Sequence, residues 1–441
     1  MIASLLCALP LAMLGQTSLS VPPARPGLKK YETDGWLKLW LEGGMIRTRD
    51  AQNKDKRTGR HYLVIENGIS SLVNMDYVDG YMFGPQFRLG YLDDRYGRWE
   101  LDADVKYACG RNTWMYQGAL RYVLPPEYFG SVEVFGRSFT TDFDSNPIMP
   151  RRYQLLASGL FGWNGFKLYG SNSMGVKGDV ALSGDIQLSG AVWYEDRERM
   201  VNHRKRNVFR VAGEDNLPRL RGHEVASFPT DPLLNWNKEH LTRLQMQLDY
   251  SPGRKIIVTD DMHAKERLVN PTLTLKGDAG FDETAVRFVS LELSIRQTEL
   301  ELSPKRHWLS YYGAAGFFPL RKEVRLPDWK HFDASHYLWQ TRNSLTWFSL
   351  LTNYELSTSR NWCEAHAEWL SEEMLLSRLT DSWLNEYLQV HHVTVAGHRS
   401  HTELSYGIDL VKQIRMGVSC GFDGSEFDGW AFNLIWDITK K

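Results

Sequence analysis

The sequence predicts an all-β chain, an antiparallel transmembrane β-barrel of the outer-membrane kind, and three observations predict it. Stretches of about ten residues alternate apolar and polar side chains almost throughout the chain. The composition is rich in aromatic and turn residues, with 16 Trp, 20 Tyr and 36 Gly. Past the N-terminus no run approaches the roughly 20 apolar residues that a membrane helix needs. Alternation gives each strand one apolar and one polar face. In a soluble sandwich the apolar face turns inward to a shared dry core. In a membrane barrel it turns outward to lipid and the polar face lines the lumen. Strand length favours the barrel, because about ten residues match a tilted bilayer crossing. So does the placing of aromatics near strand ends, Trp99 with Tyr107 and Trp430 with Trp436, where interfacial girdles lie.

Taken in order, residues 1–20 read as a secretory signal peptide: an apolar run to Gly15, with Cys7 inside it, followed by small and polar residues. Residues 21–35 read as a linker, opened by the proline-rich stretch from Val21 to Gly27. Residues 36–441 read as the barrel. The clearest strand has Trp99, Leu101, Ala103, Val105 and Tyr107 on one face and Glu100, Asp102, Asp104 and Lys106 on the other. Trp114, Tyr116, Leu120 and Tyr122 continue the pattern after a turn at Gly110 to Asn112, so the two strands form a hairpin. Leu244 to Tyr250, Val289 to Ile295, Leu404 to Leu410 and Ile414 to Phe422 alternate in the same way. At about ten residues per strand plus connections, the region from Tyr62 to Ile438 holds roughly 12 to 16 strands. Glycines such as Gly417 and Gly421 inside the pattern leave room for close packing or curvature. The last strand presents Trp430, Phe432, Leu434, Trp436 and Ile438 on one face, in the manner of a C-terminal strand read by barrel-assembly machinery during insertion. Polar inserts break the rhythm near 195–238, read as a long loop, and near 320–343, read as a candidate plug.

Charge and cysteines narrow the function. Lys+Arg number 52 against 53 Asp+Glu, a formal net charge of -1, so nothing draws the whole chain to nucleic acid. Cys7, Cys109, Cys363 and Cys420 are far apart, without C-x-x-C spacing for zinc or redox work.

Several stretches resemble, in chain order, the barrel region of the domain of unknown function 5686 family of outer-membrane proteins. They are Tyr77 to Gly84, Asn270 to Leu275, Ala314 to Pro319, Asp328 to Phe332 and Phe348 to Thr358, the last continuing into Glu364-Ala365-His366-Ala367-Glu368. The resemblance covers roughly Trp36 to the C-terminus. It implies a barrel distantly similar to the surface-antigen barrels of the outer-membrane assembly superfamily. The resemblance is to the barrel region alone, and the N-terminal carboxypeptidase-regulatory-like sandwich usual in that family is not expected here. No catalytic residue carries over.

Glu364, His366 and Glu368 fall on one strand face, where imidazole and carboxylates could hold a metal; same-face neighbours stand about 7 Å apart, however, and a polar lumen network is the expected arrangement. His391 and His392 point to opposite faces, His398 and His401 flank a turn, and all four are expected in loops or the lumen. Asp328, His331 and Asp333 lie beside Trp329 and Phe332, and are read as a plug or gate rather than as an active constellation. No G-x-S-x-G signature marks a nucleophile. The basic run His203 to Arg206, with Arg210, Arg219 and Arg221, could meet lipopolysaccharide phosphates, but ordinary loop charges are the expected reading. No catalytic, cofactor or metal residue is therefore expected. The expected role is that of a non-enzymatic protein of the Gram-negative outer membrane, a conduit or an assembly and secretion accessory, contacting lipid and lipopolysaccharide. A surface binding or adhesion scaffold and a lipid-modifying enzyme are the alternatives.

Overall fold

The computed structural model describes residues 44–47, 60–65, 72–93, 97–125, 129–144, 166–204, 238–258, 264–267, 270–283, 285–303, 306–334, 339–340, 344–380, 385–411 and 414–436, together with residues 158, 164, 216, 218, 220 and 221. The signal peptide, the linker, Cys7 and Ile438 lie outside the described residues. The strands are β1 (Gly44–Arg47), β2 (His61–Ile65), β3 (Val73–Asp76), β4 (Gly80–Phe83), β5 (Gln86–Asp93), β6 (Gly97–Ala108), β7 (Thr113–Val123), β8 (Gly130–Asp142), β9 (Leu168–Ala181), β10 (Ile186–Arg199) and β11 (Lys238–Tyr250). There follow β12 (Lys255–Val258), β13 (Ala264–Arg267), β14 (Thr272–Phe281), β15 (Val286–Ser303), β16 (His307–Arg321), β17 (Trp339–Gln340), β18 (Trp362–Ser371), β19 (Asn385–Val395), β20 (His401–Val411), β21 (Ile414–Asp423) and β22 (Glu426–Trp436).

The pairing is a meander. Each strand from β5 to β11 lies antiparallel to the next, and the ladder continues through β14, β15, β16, β18, β19, β20, β21 and β22. At the N-terminal end β2 pairs with β5 and β1 with β2. Among the described residues the ladder from β2 to β22, without β3, β4, β12, β13 and β17, fills the upper end of the expected range, and β1 adds one before Tyr62, because tight turns such as that between Asp423 and Glu426 spend few residues on connections. Among the described residues no ladder joins β22 to β1. The outer edge of β22 carries a short parallel pairing instead, Trp339 and Gln340 beside Leu434 and Ile435.

The faces decide between sandwich and barrel. On β6 the apolar residues are exposed, Trp99 at 44% and Leu101 at 43%, while Glu100 at 2% and Asp104 at 5% are buried. Leu244, Met246, Leu248 and Tyr250 on β11 are likewise exposed, and Gln245 and Gln247 buried. A water-soluble sheet would reverse this, so the apolar face is built for acyl chains and the polar face for an enclosed interior. Aromatic pairs mark the two ends of the apolar band: Trp99 stacks near Tyr122 at 4.6 Å and Tyr107 near Trp114 at 5.2 Å. Eight residues separate the pairs along β6, about 26 Å of strand, the order of the apolar band of an outer-membrane barrel.

Inside, Tyr387 on β19 lies over Gly407 on β20 and Gly417 on β21. A Cβ on either glycine would sit 2.4 or 2.3 Å from the tyrosine hydroxyl. The glycines make room for a buried ring that in turn carries the Arg415 guanidinium 5.0 Å above it. Cys109 and Cys363 are exposed, Cys420 is half-buried, and all three are free thiols.

Successive strands reverse direction, so the connections after β2, β8, β10 and β16 all leave one end of the barrel. Their described parts interlock there. The Tyr77 hydroxyl donates to the Ser158 carbonyl at 3.0 Å, and the Arg204 amide donates to the Tyr77 carbonyl at 3.0 Å. Asn216 brackets Leu168 with two bonds of 2.7 Å. Phe143, Tyr169, Leu220, Leu326 and Tyr354 pack into one apolar cluster. The expected loop from 195 begins later than the sequence reading placed it, because β10 runs on to Arg199 and keeps Glu195 and Arg197 on its inner face.

Candidate functional site

Among the described residues of the connection between β16 and β18, 322–334 and 344–361 pack against the inner face of the wall, while 339–340 pair with the edge of β22. The sequence of this segment explains why it can. Leu326, Phe332, Phe348, Leu351, Tyr354 and Leu356 are all buried: Phe332, Phe348, Leu351 and Leu356 pack with Ala314, Trp362, Val393 and Val395 of the wall, and Leu326 and Tyr354 with Phe143 and Tyr169. Polar residues between them reach the wall. Pro327 opens a short 3-10 turn, Leu326–Asp328, which aims the Asp328 carboxylate outward.

That carboxylate is gripped by Arg197 in a two-pronged bond, Nη1 at 2.8 Å and Nη2 at 2.9 Å. Arg197 is fully buried, and also meets Glu195 at 3.0 Å and Glu239 at 3.4 Å. Arg243 adds a contact to Asp328 at 3.3 Å while its guanidinium lies 5.0 Å above the Trp193 ring. The other anchors run round the wall. Lys330 pairs with Glu364 on β18 at 2.9 Å and Glu292 on β15 at 3.4 Å. Although burial pulls its pKa down, these carboxylates hold the Lys330 ammonium well above its ordinary value. Glu403 on β20 accepts the Ser349 amide and hydroxyl, both at 2.8 Å, and the Leu350 amide at 2.9 Å. Tyr354 donates to Asp142 on β8. Glu355 meets Arg221 at 2.7 Å, and Arg221 meets Asp423 on β21 at 2.8 Å. One segment that touches strands from β8 to β21 requires the sheet to curl around it.

The anchors fix position more than they add stability. Bringing paired charges out of water roughly cancels their attraction, but removing one partner of a buried pair costs about 3–5 kcal/mol. Released from the wall, Asp328 would lose both Arg197 and Arg243, while Arg197 would keep Glu195 and Glu239, so the cost falls on the segment, which has one seat.

The candidate residues fall into distinct places. Asp328 holds the segment to the wall. His331 and Asp333 hold it to itself. The His331 Nε2–H donates to the Leu326 carbonyl at 3.1 Å, its Nδ1 accepts from the Ser357 hydroxyl at 2.8 Å, and Asp333 accepts from Ser344 at 3.2 Å and from Thr346. Burial pushes the His331 imidazole down to about 4. A Ser–His contact invites a hydrolase reading, but a base that weak is poorly matched to general-base work near neutral pH.

Glu364, His366 and Glu368 share the inner face of β18 and are buried. His366 bonds Glu364 at 3.2 Å and the His391 Nδ1 at 2.9 Å, while Glu368 turns away to Arg415 at 2.6 Å and Gln389 at 2.6 Å. The three therefore divide between two networks. His392 points to the other face, toward Thr402. Of the basic run, His203 bonds the Val78 carbonyl at 3.1 Å and Arg204 lies 4.7 Å above the Tyr81 ring; Lys205, Arg206, Arg210 and Arg219 are outside the described residues. In the last strand Trp430, at 71%, and Phe432 are exposed on the apolar face, Leu434 is half-buried, and β22 ends at Trp436.

Sequence reading missed Arg197, Arg243 and the partners of Glu403. The signal for Arg197 was present, since Trp193, Glu195 and Arg197 continue the alternation of β10, but the charge-rich stretch looked like the start of a loop. Nothing local marks Ser349 or Leu350 as partners of Glu403.

The family described as family of unknown function (DUF5686), C-terminal domain, matches residues 48–408. Among curated proteins none matches. Among solved structures, BamA from Haemophilus ducreyi lacking POTRA domains 1-3 is similar with a TM-score of 0.41 and 8% identity, over 82% of this chain and 68% of that one. CdiB from Escherichia coli is similar with a TM-score of 0.38 and 9% identity, over 82% of this chain and 60% of that one. A mutant Rh. blastica porin gives 0.31 and 8%, over 80% of this chain and 89% of that one.

Proposed function

The chain belongs to the family of unknown function DUF5686, matching its C-terminal domain, and we propose that it is a non-enzymatic protein of the Gram-negative outer membrane, a conduit or envelope-assembly accessory whose lumen is held shut by residues 322–361. The observation that carries this reading is the ring of anchors described above, from Tyr354 on Asp142 through Asp328 on Arg197 to Ser349 on Glu403. A scaffold acting only through its outer loops has no need of a segment seated across the interior. The weak His331 base and the paired state of Glu364 and His366 favour structural over catalytic roles. In the same reading residues 1–20 are the export signal, residues 21–35 the linker and residues 36–441 the barrel. The aromatic face of Trp430, Phe432, Leu434, Trp436 and Ile438 then serves insertion by assembly machinery into a lipid and lipopolysaccharide bilayer.

Planar-bilayer recording of the folded protein tests it. The wild type should be silent or flicker rarely, and Asp328→Asn, which removes the charge but keeps the shape, should give frequent conductance steps. Steady conduction by the wild type would sink the closed-lumen reading, and a silent Asp328→Asn would remove the anchor from it.

A further inference from the structure

A second constellation stands at the mouth of the barrel, where β20 begins, β21 ends and β22 starts. His401 and Asp423 face each other across the β20–β21 ladder. The His401 Nδ1 is 2.7 Å from the Asp423 Oδ1 and 4.0 Å from the Asp428 Oδ2. One donor atom from each of these three residues lies within 4.8 Å of the others.

The backbone is built to gather them. The register of β21 with β22 shifts between Gly421 and Phe422, whose partners are Gly429 and Phe427, so Asp428 is the extra residue of a β-bulge. A bulge re-aims side chains. Phe427, which strict alternation from Trp430 would turn inward, is 62% exposed on the apolar face, and the Asp428 carboxylate is brought toward His401. The imidazole is fully buried and held from behind: its Nε2 lies 3.1 Å from the Glu403 Oε1. A carboxylate on one ring nitrogen fixes the tautomer and points the other nitrogen at a metal. Asp423 divides its oxygens, Oδ2 to the Arg221 guanidinium at 2.8 Å and Oδ1 to the His401 Nδ1 at 2.7 Å, a bond that an ion seated between the two would replace.

We propose that His401, Asp423 and Asp428 form a binding site for a divalent transition-metal ion of the zinc class, with Glu403 as the positioning residue behind the imidazole. Bonds of about 2.1 Å to nitrogen and oxygen set donor atoms about 3.4 Å apart around a tetrahedral centre. The observed 2.7 and 4.0 Å bracket that spacing, so small side-chain rotations suffice. One imidazole with two carboxylates selects zinc-class ions over calcium and magnesium, which take oxygen donors alone. Asp428 is partly exposed and gives the ion a path in. Solvent completes the coordination. Glu403 and Asp423 also hold the lumen segment, directly and through Arg221, so the ion would cross-link three wall strands at its anchorage. Binding itself does not require the lumen to conduct.

Titration calorimetry of the folded protein in detergent micelles with Zn2+ alone is the test. One ion should bind per chain, with Ca2+ at least roughly tenfold weaker. Asp428→Asn, an exposed change that leaves the fold intact by heat-modifiability, should weaken Zn2+ at least roughly tenfold and abolish a Zn2+-induced rise in Tm. Equal Zn2+ affinity in wild type and variant, or no saturable binding to the wild type, would overturn the site. Equal affinity for Ca2+ would overturn the choice of ion.

Discussion

The wall from Gln86 to Glu133 and the wall from Ile186 to Asp423 have the same apolar-out, polar-in pattern, yet they satisfy their inner charges in different ways. In the first, partners sit on the same strand or directly across a ladder: Arg88 with Asp102, Lys106 with Asp104 at 2.9 Å, Arg121 with Glu133 at 2.8 Å, and Lys177 reaching Glu133 at 2.8 Å. In the second, beside wall pairs such as Arg415 with Asp409 at 3.2 Å, charges also reach across space to a segment far away in sequence, as Arg197 does to Asp328 and Glu403 to Ser349. A self-satisfied wall only needs to stand. A wall whose charges close on an inserted segment binds that segment, and its interior chemistry is part of a closure.

The sharpest way to break this contrast is Arg197→Ala. It strips Asp328, Glu195 and Glu239 of a shared, fully buried guanidinium, and should cost about 3–5 kcal/mol in denaturant unfolding of the micelle-bound barrel. A loss below about 1 kcal/mol would make the segment an incidental lodger. Next comes acid. Burial holds His331 at about 4, below its unfolded value of about 6.5, so the neutral ring favours the folded segment fully above the unfolded value. That contribution is lost as pH falls toward 4. The thermal midpoint should therefore drop more steeply between pH 7 and 4 in wild type than in His331→Gln; parallel curves would show that the ring is not linked to folding. The smallest effect is expected from the self-satisfied wall, where Arg121→Ala leaves Glu133 its Lys177 partner. It should cost clearly less than Arg197→Ala, because Lys177 still neutralises the buried Glu133, and should not open the lumen to current; a loss as large as that of Arg197→Ala would erase the distinction.

The same contrast explains what the sequence could tell. Period-two alternation is local, so the strand Trp99 to Tyr107, its hairpin partner from Trp114 and the inner placing of Glu364, His366 and Glu368 could be read directly. Ladder partners follow once register is known. The polar insert near 320–343 stood out as a break in rhythm, and Asp328, His331 and Asp333 lie in the connection between β16 and β18. Its second half could not be recognised, because Phe348 to Tyr354 is apolar enough to pass for more wall. Arg197 was lost to a boundary error, since charged residues at a strand end look like loop. Glu403 was placed on the polar face, but its partners, Ser349 and Leu350, are joined to it through backbone amides that carry no sequence signature. The bulge at Asp428 was equally silent, because it depends on where two strands slip by one residue.

β16 and β18 are hydrogen-bonded neighbours, from His307 beside Ser371 to Gly316 beside Trp362, so the connection between them leaves one wall strand and rejoins the adjacent one. Whatever pulls it from its seat leaves both ends fastened to the wall. In the proposed closed-lumen reading the segment is leashed, and its return would be a search confined to the barrel's own volume, with an effective concentration set by the chain and not by the cell. Resealing, on that proposal, would be a first-order event that needs no second molecule.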